Sequence, residues 1–244
     1  MSKICDPAMN FRVIWDKMEN KVKSCMCLEN AAQKFTEVMY GELKDSIVLV
    51  RLFGAIPFGN LPDYNQKFVS KMAGSAEISH LIKETTLILT LLGTQGKEAA
   101  WNNRVNSKGH IGVPLVSIDF INRIPMMARL LKELGIDLNW IDSDDTEMVI
   151  KKSGSMSGVF YVPDAKTTTD NMGRKIIASQ EFVEKYNIKT VFGMGGSYMG
   201  KMFVATIVFT NEALDKTIVT KYTPIINYFK GATMNLAMKK KVFA

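Results

Sequence analysis

The chain has 244 residues, of which 47% are hydrophobic and 23% are charged, a composition typical of globular proteins. The formal net charge is +7, but the basic residues are scattered and only residues 239–241 form a run, so we expect no nucleic-acid partner. No uninterrupted apolar stretch of about 20 residues occurs, which argues against a membrane span. Residues 1–10 also lack the features of a signal peptide, so we predict a cytoplasmic protein.

The cysteines predict neither a disulfide framework nor a metal site. There are three, Cys5, Cys25 and Cys27, and an odd number in a reducing compartment argues against structural disulfides. One residue separates Cys25 from Cys27, whereas zinc sites usually place two to four residues between paired ligands. We therefore expect free thiols.

The N-terminal part, about residues 11–44, is predicted to be helical. Apolar residues recur at helical spacing over residues 11–22 and again over residues 28–44. Residues 47–53 are then predicted to form a buried strand, because they are apolar and rich in β-branched side chains. Proline and glycine between residues 57 and 63 mark a loop.

The middle of the chain predicts a short helix, a second strand and a third helix. Phe68, Val69 and Met72 predict the short helix, which ends at Gly74, and the strand covers residues 85–92, closed by Gly93 and Gly96. Residues 97–112 are polar and rich in turn-forming residues. An amphipathic helix over residues 120–134 follows, in which Pro125 either introduces a bend or begins a second half.

The C-terminal part predicts short strands at residues 147–151 and 159–162 and a helix capped by Ser179. Strands over residues 189–194 and 202–209 are separated by a glycine-rich turn, which is typical of a β-hairpin. A helical segment over about residues 211–240 is predicted to be capped by Thr210 and divided by Pro224.

This order of elements predicts an α+β fold with a largely antiparallel central sheet flanked by helices, GAF/PAS-like, in a single domain over residues 1–244. The terminal helices carry apolar residues that either form a homodimer surface or pack on their own sheet. They are Trp15, Val219, Tyr222, Ile225, Ile226 and Phe229.

No motif predicts a catalytic residue. Gly193-Met194-Gly195-Gly196 lacks the third glycine of a dinucleotide fingerprint and precedes a predicted strand, so a hairpin explains it better. The chain has only two histidines, His80 and His110, and no nucleophile-elbow motif. The acidic residues Asp142, Asp144 and Asp145 lack the spacing of a calcium loop.

The loop after the second strand is the best candidate for a ligand site. Trp101 offers a stacking surface, Arg104 can bind a carboxylate or phosphate, and His110 can change charge near neutral pH. Asn103 and Ser107 add hydrogen-bonding groups. The alternative is a polar loop whose tryptophan packs on the core and whose polar side chains satisfy backbone groups.

Several sequence stretches resemble an uncharacterised sensory region found beside bacterial histidine kinases and other signalling modules. The resemblance spans most of residues 25–235, and the order of elements is similar to that of GAF domains. The stretches are Val50-Arg51-Leu52-Phe53, Pro57-Phe58-Gly59-Asn60-Leu61-Pro62, Leu91-Leu92-Gly93-Thr94-Gln95-Gly96, Trp101-Asn102-Asn103-Arg104, Ser107-Lys108-Gly109-His110, Ile124-Pro125-Met126-Met127-Ala128-Arg129-Leu130-Leu131 and Val191-Phe192-Gly193-Met194-Gly195-Gly196.

The resemblance implies a sensory or regulatory domain, not an enzyme, that binds an unidentified small molecule between its sheet and its loops. It also implies that terminal helices pass the signal to a histidine kinase or another signalling module. Two alternatives remain open. One is a hydrolase or transferase that uses the 101–110 loop through His110 and Arg104. The other is a haem sensor in which His110 or His80 is the axial ligand, with Cys25 or Cys27 as a further candidate.

Overall fold

The computed structural model describes residues 3–6, 11–107, 110–136, 138, 141, 158–198 and 202–244. The predicted strand at residues 147–151 and the acidic residues Asp142, Asp144 and Asp145 lie outside the described residues. The α-helices of the described part of the chain are α1 (Phe11–Val22), α2 (Leu28–Glu42), α3 (Asp63–Ser75), α4 (Ile118–Asn122), α5 (Pro125–Glu133), α6 (Gln180–Lys185), α7 (Lys216–Thr220) and α8 (Thr223–Met238). Within the described ranges, no helix is long and apolar enough to cross a membrane.

The strands form one antiparallel sheet. In the described part of the chain the sheet has six strands, in the order β3-β2-β1-β6-β5-β4, and each pairs antiparallel with its neighbours. All four of the main predicted strands belong to it, which confirms the predicted α+β class. The strands are β1 (Ile47–Pro57), β2 (Leu87–Gly96), β3 (Gly112–Pro114), β4 (Gly158–Val162), β5 (Thr190–Ser197) and β6 (Phe203–Thr210).

Both faces of this sheet are covered. Because side chains alternate along a strand, β1 directs Leu49, Arg51 and Phe53 toward one face and Val50 and Leu52 toward the other. The first face, with Leu49 and Phe53, packs under α4, α5 and α6. The second face, with Val50 and Leu52, packs against α1, α2 and α8.

Strand β2 is longer than predicted. Gly93 does not close it, since β2 continues through Gly93 and ends at Gly96, the second of the two predicted closing glycines. The glycine at position 93 is explained by packing, because a Cβ there would lie 2.4 Å from the carbonyl carbon and oxygen of Ala32 in α2. The helix therefore lies directly on the strand backbone at this point.

The helix predicted over residues 120–134 is two helices. Ile124, which precedes Pro125, has φ −115° and ψ 88°, outside the helical region, as expected for a residue before proline. Pro125 then lies in the first turn of α5, one of the two arrangements that the sequence allowed.

The C-terminal helices begin later than predicted. Thr210 does not cap a helix, because it ends β6 in an extended conformation and pairs with Thr190 and Ile47. Asp215 is the residue that precedes α7, and Pro224 lies in the first turn of α8. The predicted division at Pro224 therefore corresponds to the start of a separate helix.

The apolar residues of α7 and α8 that were candidates for a dimer surface are buried within the chain. They pack on the second face of the sheet, which is the alternative arrangement. Their exposed fractions are 0% for Val219, Tyr222, Ile225 and Ile226 and 1% for Phe229, so they offer no surface to a second copy. Trp15 is half-buried against the same group. Burial of so much apolar area explains why these helices fold back on the sheet.

Candidate functional site

A cavity of about 370 Å³ lies on the first face of the sheet, between β1 and β6 below and α5 and α6 above. Its volume is near the lower end of the range for small-molecule sites in proteins. Among the described lining residues, polar side chains contribute at three positions, Arg51, His110 and Ser179. The apolar lining residues are Leu49, Phe53, Trp101, Ile124, Pro125, Met126, Ile176, Ile177, Ala178, Phe182, Ile207 and Phe209.

Arg51 provides the cavity with a positive charge. It lies in the middle of β1, and its Nη2 donates a hydrogen bond to Ser107 Oγ over 2.9 Å. Its Nε is buried and has no hydrogen-bond partner among the described residues. Burial lowers the pKa of this guanidinium to about 10, so the group is still charged at neutral pH.

His110 lies beside this charge. It lines the cavity and has a positive φ of 47°, a conformation that is uncommon outside glycine. Although the residue retains an exposed surface, desolvation by the surrounding atoms lowers the pKa of the imidazole, and the nearby positive charge of Arg51 lowers it further. Because the ordinary pKa of histidine is already near 6.5, the ring is neutral at pH 7 and can accept or donate a hydrogen bond.

Trp101 forms one wall of the cavity. It ends a short 3-10 turn, Ala99–Trp101, and its ring meets the rings of Phe182 and Tyr186 edge-on, with centroid distances of 5.7 Å and 4.9 Å. Gly96 allows this position, since a Cβ there would lie 2.8 Å from Trp101 Cε3. Aromatic packing across the loop therefore fixes the ring against α6.

The structure separates the five residues that the sequence predicted as a site. Trp101 and His110 line the cavity, and the buried Ser107 reaches it through its hydrogen bond to Arg51. Asn103 does not line it: the side chain is exposed, and its Oδ1 accepts a hydrogen bond from the backbone N–H of Val105 over 2.8 Å. Lys108 and Gly109 lie outside the described residues.

Arg104, the residue of this loop predicted to bind an anionic ligand group, does not line the cavity. Its Nε donates to Glu29 Oε1 at the start of α2, and its Nη1 donates to Asn65 Oδ1 over 3.0 Å. The guanidinium also lies 5.2 Å from the ring centroid of Phe243. Arg104 is only 8% exposed, and a charge buried to this extent needs a partner of opposite sign. The Glu29 carboxylate is that partner, so the guanidinium lies at the start of α2 and not in the cavity.

Arg51, rather than Arg104, is the cavity arginine, and the sequence contained a signal for it. It is the only charged residue within the otherwise apolar strand segment Ile47-Val48-Leu49-Val50-Arg51-Leu52-Phe53. A charge on a buried strand is costly unless it is paired or has a function. That criterion would have identified Arg51 without the structure.

The residues required by the two alternative functions are also separated. The enzyme alternative uses His110 together with Arg104, but only His110 lines the cavity. The haem alternative adds His80, Cys25 and Cys27. His80 is exposed on a short 3-10 turn, and the two cysteines lie at the start of α2, which packs on the opposite face of the sheet. Among the residues described, no three His, Cys, Asp or Glu side chains cluster as metal ligands would.

Comparison with solved structures identifies the fold. The chain superimposes on the phycoerythrobilin-bound GAF domain from a cyanobacterial phytochrome with a TM-score of 0.51 and 11% sequence identity, over 96% of this chain and 99% of that one. The phycocyanobilin-bound GAF domain from a cyanobacterial phytochrome gives a TM-score of 0.51 and 10% identity, over 95% and 98%. No protein-family model and no curated protein matches the sequence. The chain therefore has a GAF-like fold.

Proposed function

We propose that this chain is a regulatory domain that binds a small molecule in the cavity over β1 and β6. One observation carries the proposal: a mainly apolar cavity contains a buried guanidinium with no carboxylate partner among the described residues. A protein that encloses such a charge beside an apolar surface gains free energy when a complementary ligand occupies the space. The GAF-like fold is in keeping with this function but does not by itself assign it.

The contacts of the 99–107 loop suggest how occupancy would reach the ends of the chain. Ser107 holds Arg51, and Arg104, three residues earlier, contacts Glu29 in α2 and Phe243 near the C-terminus. The carbonyl oxygens of Lys241 and Val242 in turn accept hydrogen bonds from the first backbone N–H groups of α2 over 2.9 Å and 2.8 Å. We propose that the loop couples the cavity to this junction between α2 and residues 241–244.

A ligand screen tests the proposed binding. Nucleotides, cyclic nucleotides and small metabolites are added to the purified protein, and the melting temperature is measured, because a ligand that binds only the native state raises it. In parallel, Ile207→Phe extends a buried side chain from the floor into the cavity. We expect a ligand that raises the Tm of the wild type by several degrees and of Ile207→Phe by much less. Equal effects on both proteins would locate the binding elsewhere.

Hydrogen exchange tests the proposed coupling. The backbone amides of Leu28 and Glu29, which bond to residues 241–242, should exchange at a different rate once a ligand is bound. Arg104→Gln should suppress that change, whereas Lys34→Gln, on the exposed part of the same helix, should not. Unchanged exchange at α2 in a saturated wild type would contradict the coupling and leave the binding proposal intact.

The downstream partner follows from the same proposal. If α2 and the C-terminal segment change on binding, a neighbouring signalling module, such as a histidine kinase, is the class of protein that would respond.

A cytoplasmic location and self-association also remain predictions. Self-association cannot use the buried apolar residues of α7 and α8.

A further inference from the structure

The surroundings of the arginines differ in a way that points to the chemistry of the ligand. Arg104, Arg129 and Arg174 each pair with a carboxylate, from Glu29, Glu133 and Asp170 respectively. Arg51 has no ion pair of this kind among the described residues, although its charge lies in the interior of the sheet. The buried Arg104 and the partly exposed Arg129 and Arg174 therefore each have a negative charge beside them.

Ser107 is the one side chain in the described part of the chain that forms a hydrogen bond with the Arg51 guanidinium. Its hydroxyl accepts one hydrogen bond from Nη2, while the buried Nε has no partner in the described part of the chain. A guanidinium has five N–H donors in a planar fork that matches the two oxygens of a carboxylate. The serine positions the group, and Nε, which has no partner among the described residues, is available to an anion.

The rest of the lining limits the anion to a small apolar molecule. Phe53, Phe182, Phe209, Ile177 and Ile207 surround the space, and no lysine is among the described residues that line it. His110 is neutral at pH 7, so among these residues Arg51 supplies the single positive charge. One charge balances one carboxylate, whereas a phosphate monoester carries nearly two negative charges at this pH.

We propose, on the basis of the binding function above, that the cavity takes a small apolar monocarboxylate. Its carboxylate pairs with the Arg51 guanidinium, with His110 as an additional hydrogen-bonding group. Its hydrocarbon or aromatic part packs against the apolar walls of the cavity, which include Trp101, Phe182 and Ile207. The class is set by charge balance at Arg51 and by the apolar walls.

Matched probes test the class. Benzoate, phenylacetate, hexanoate and octanoate are compared with their primary amides and with phenyl phosphate, by thermal shift and by titration of the intrinsic tryptophan fluorescence. We expect at least one carboxylate to bind at least tenfold more tightly than its amide and than phenyl phosphate. Preference for the amide or the phosphate would overturn the carboxylate assignment, and so would failure of all four acids.

Variants assign the binding to Arg51. Arg51→Gln should weaken the preferred carboxylate at least tenfold and leave the amide unaffected, while Arg12→Gln on the exposed surface of α1 should change neither. Without ligand, Arg51→Gln should melt at the same temperature as the wild type or higher, because it removes a buried unbalanced charge. A lower Tm, or unchanged carboxylate affinity, would make Arg51 a structural residue and overturn the proposal.

A second variant covers the case in which Arg51→Gln does not fold. Ser107→Ala removes the side-chain hydrogen bond that positions the guanidinium and should weaken the carboxylate two- to tenfold without affecting the amide. If neutral molecules bind in the cavity and are blocked by Ile207→Phe while carboxylates do not bind, the ligand class is wrong and the binding function stands. If nothing in the broad screen binds, both proposals fail.

Discussion

At the scale of single residues, the buried Arg104 and the partly buried Arg51 have opposite surroundings. Arg104 has a carboxylate, an amide oxygen and an aromatic ring as partners, whereas Arg51 has one serine hydroxyl. The sequence pattern alone predicts that Arg104→Ala loses ligand binding while its melting temperature changes little. The structure instead predicts that Arg104→Ala keeps ligand binding and lowers the melting temperature.

We expect Arg104→Ala to lower the free energy of unfolding by about 2–3 kcal/mol, because it leaves the Glu29 carboxylate without its partner. Urea denaturation monitored by circular dichroism measures the effect. The control is Lys34→Ala, whose ion pair with Glu37 is solvent-exposed and should contribute less than about 0.5 kcal/mol. If both variants lose the same small amount, Arg104 is not a structural ion pair.

His110 makes stability depend on pH. Its pKa in the folded state is lowered, so the unfolded chain binds the proton more readily, and acidification below about pH 6.5 favours unfolding. His110→Asn removes this proton site, and asparagine tolerates the positive φ. We expect the Tm of the wild type to fall below that of His110→Asn increasingly from pH 7.5 to pH 5.5. A constant difference between the two proteins over this range would show that His110 does not titrate differently on folding.

At the scale of elements, the contact between α2 and β2 depends on a glycine, Gly93, which has no side chain to separate the helix from the strand. A Cβ at Gly93 would meet the backbone of Ala32 at 2.4 Å, so the helix lies on the strand without an intervening side chain. Helix α2 also contributes Glu29 to Arg104 and receives the C-terminal carbonyls at its first turn. Its position therefore affects both the sheet and the loop.

We predict that Gly93→Ala destabilises the protein by about 1–3 kcal/mol, because either the helix or the strand must shift. Gly41→Ala is the matched control: it lies within α2, and a Cβ there meets nothing within 4 Å. That change should stabilise the protein by about 0.5–1 kcal/mol through helix propensity. Thermal denaturation of both variants measures these changes in stability. A Gly93→Ala variant as stable as the wild type would show that α2 does not pack tightly on β2 at this position.

At the scale of the whole molecule, one sheet connects two cores. The first face carries Leu89 and the cavity, and the second carries the residues beneath α1, α2 and α8. Because both cores share the same strands, we expect them to unfold together, in line with the predicted single domain.

Leu89→Ala tests that expectation. Leu89 is 1% exposed, and its truncation should cost about 2–5 kcal/mol. Unfolding should remain a single transition whether it is followed by tryptophan fluorescence or by far-ultraviolet circular dichroism. Two separate transitions, with only one shifted by the variant, would show that the two faces of the sheet are independent units.

The sequence by itself determined the elements whose signals are local. Helical spacing of apolar residues identified α1 and α2, and runs of β-branched residues identified β1 and the β5–β6 pair, because these patterns depend on a residue and its near neighbours. The glycine-rich turn also indicated correctly that β5 and β6 are antiparallel. Their exact ends were less predictable, as β2 and the start of α7 illustrate.

Only the tertiary structure decided the site and the role of the terminal helices. Arg104 is buried and Arg51 is partly buried, and what distinguishes their surroundings is Glu29, which lies 75 positions before Arg104 in the chain. The apolar residues of α8 fit either a partner or their own sheet, and the free second face of that sheet determined the outcome. Charge pairing and burial depend on residues distant in sequence, so the local pattern identified the loop and not the cavity that it borders.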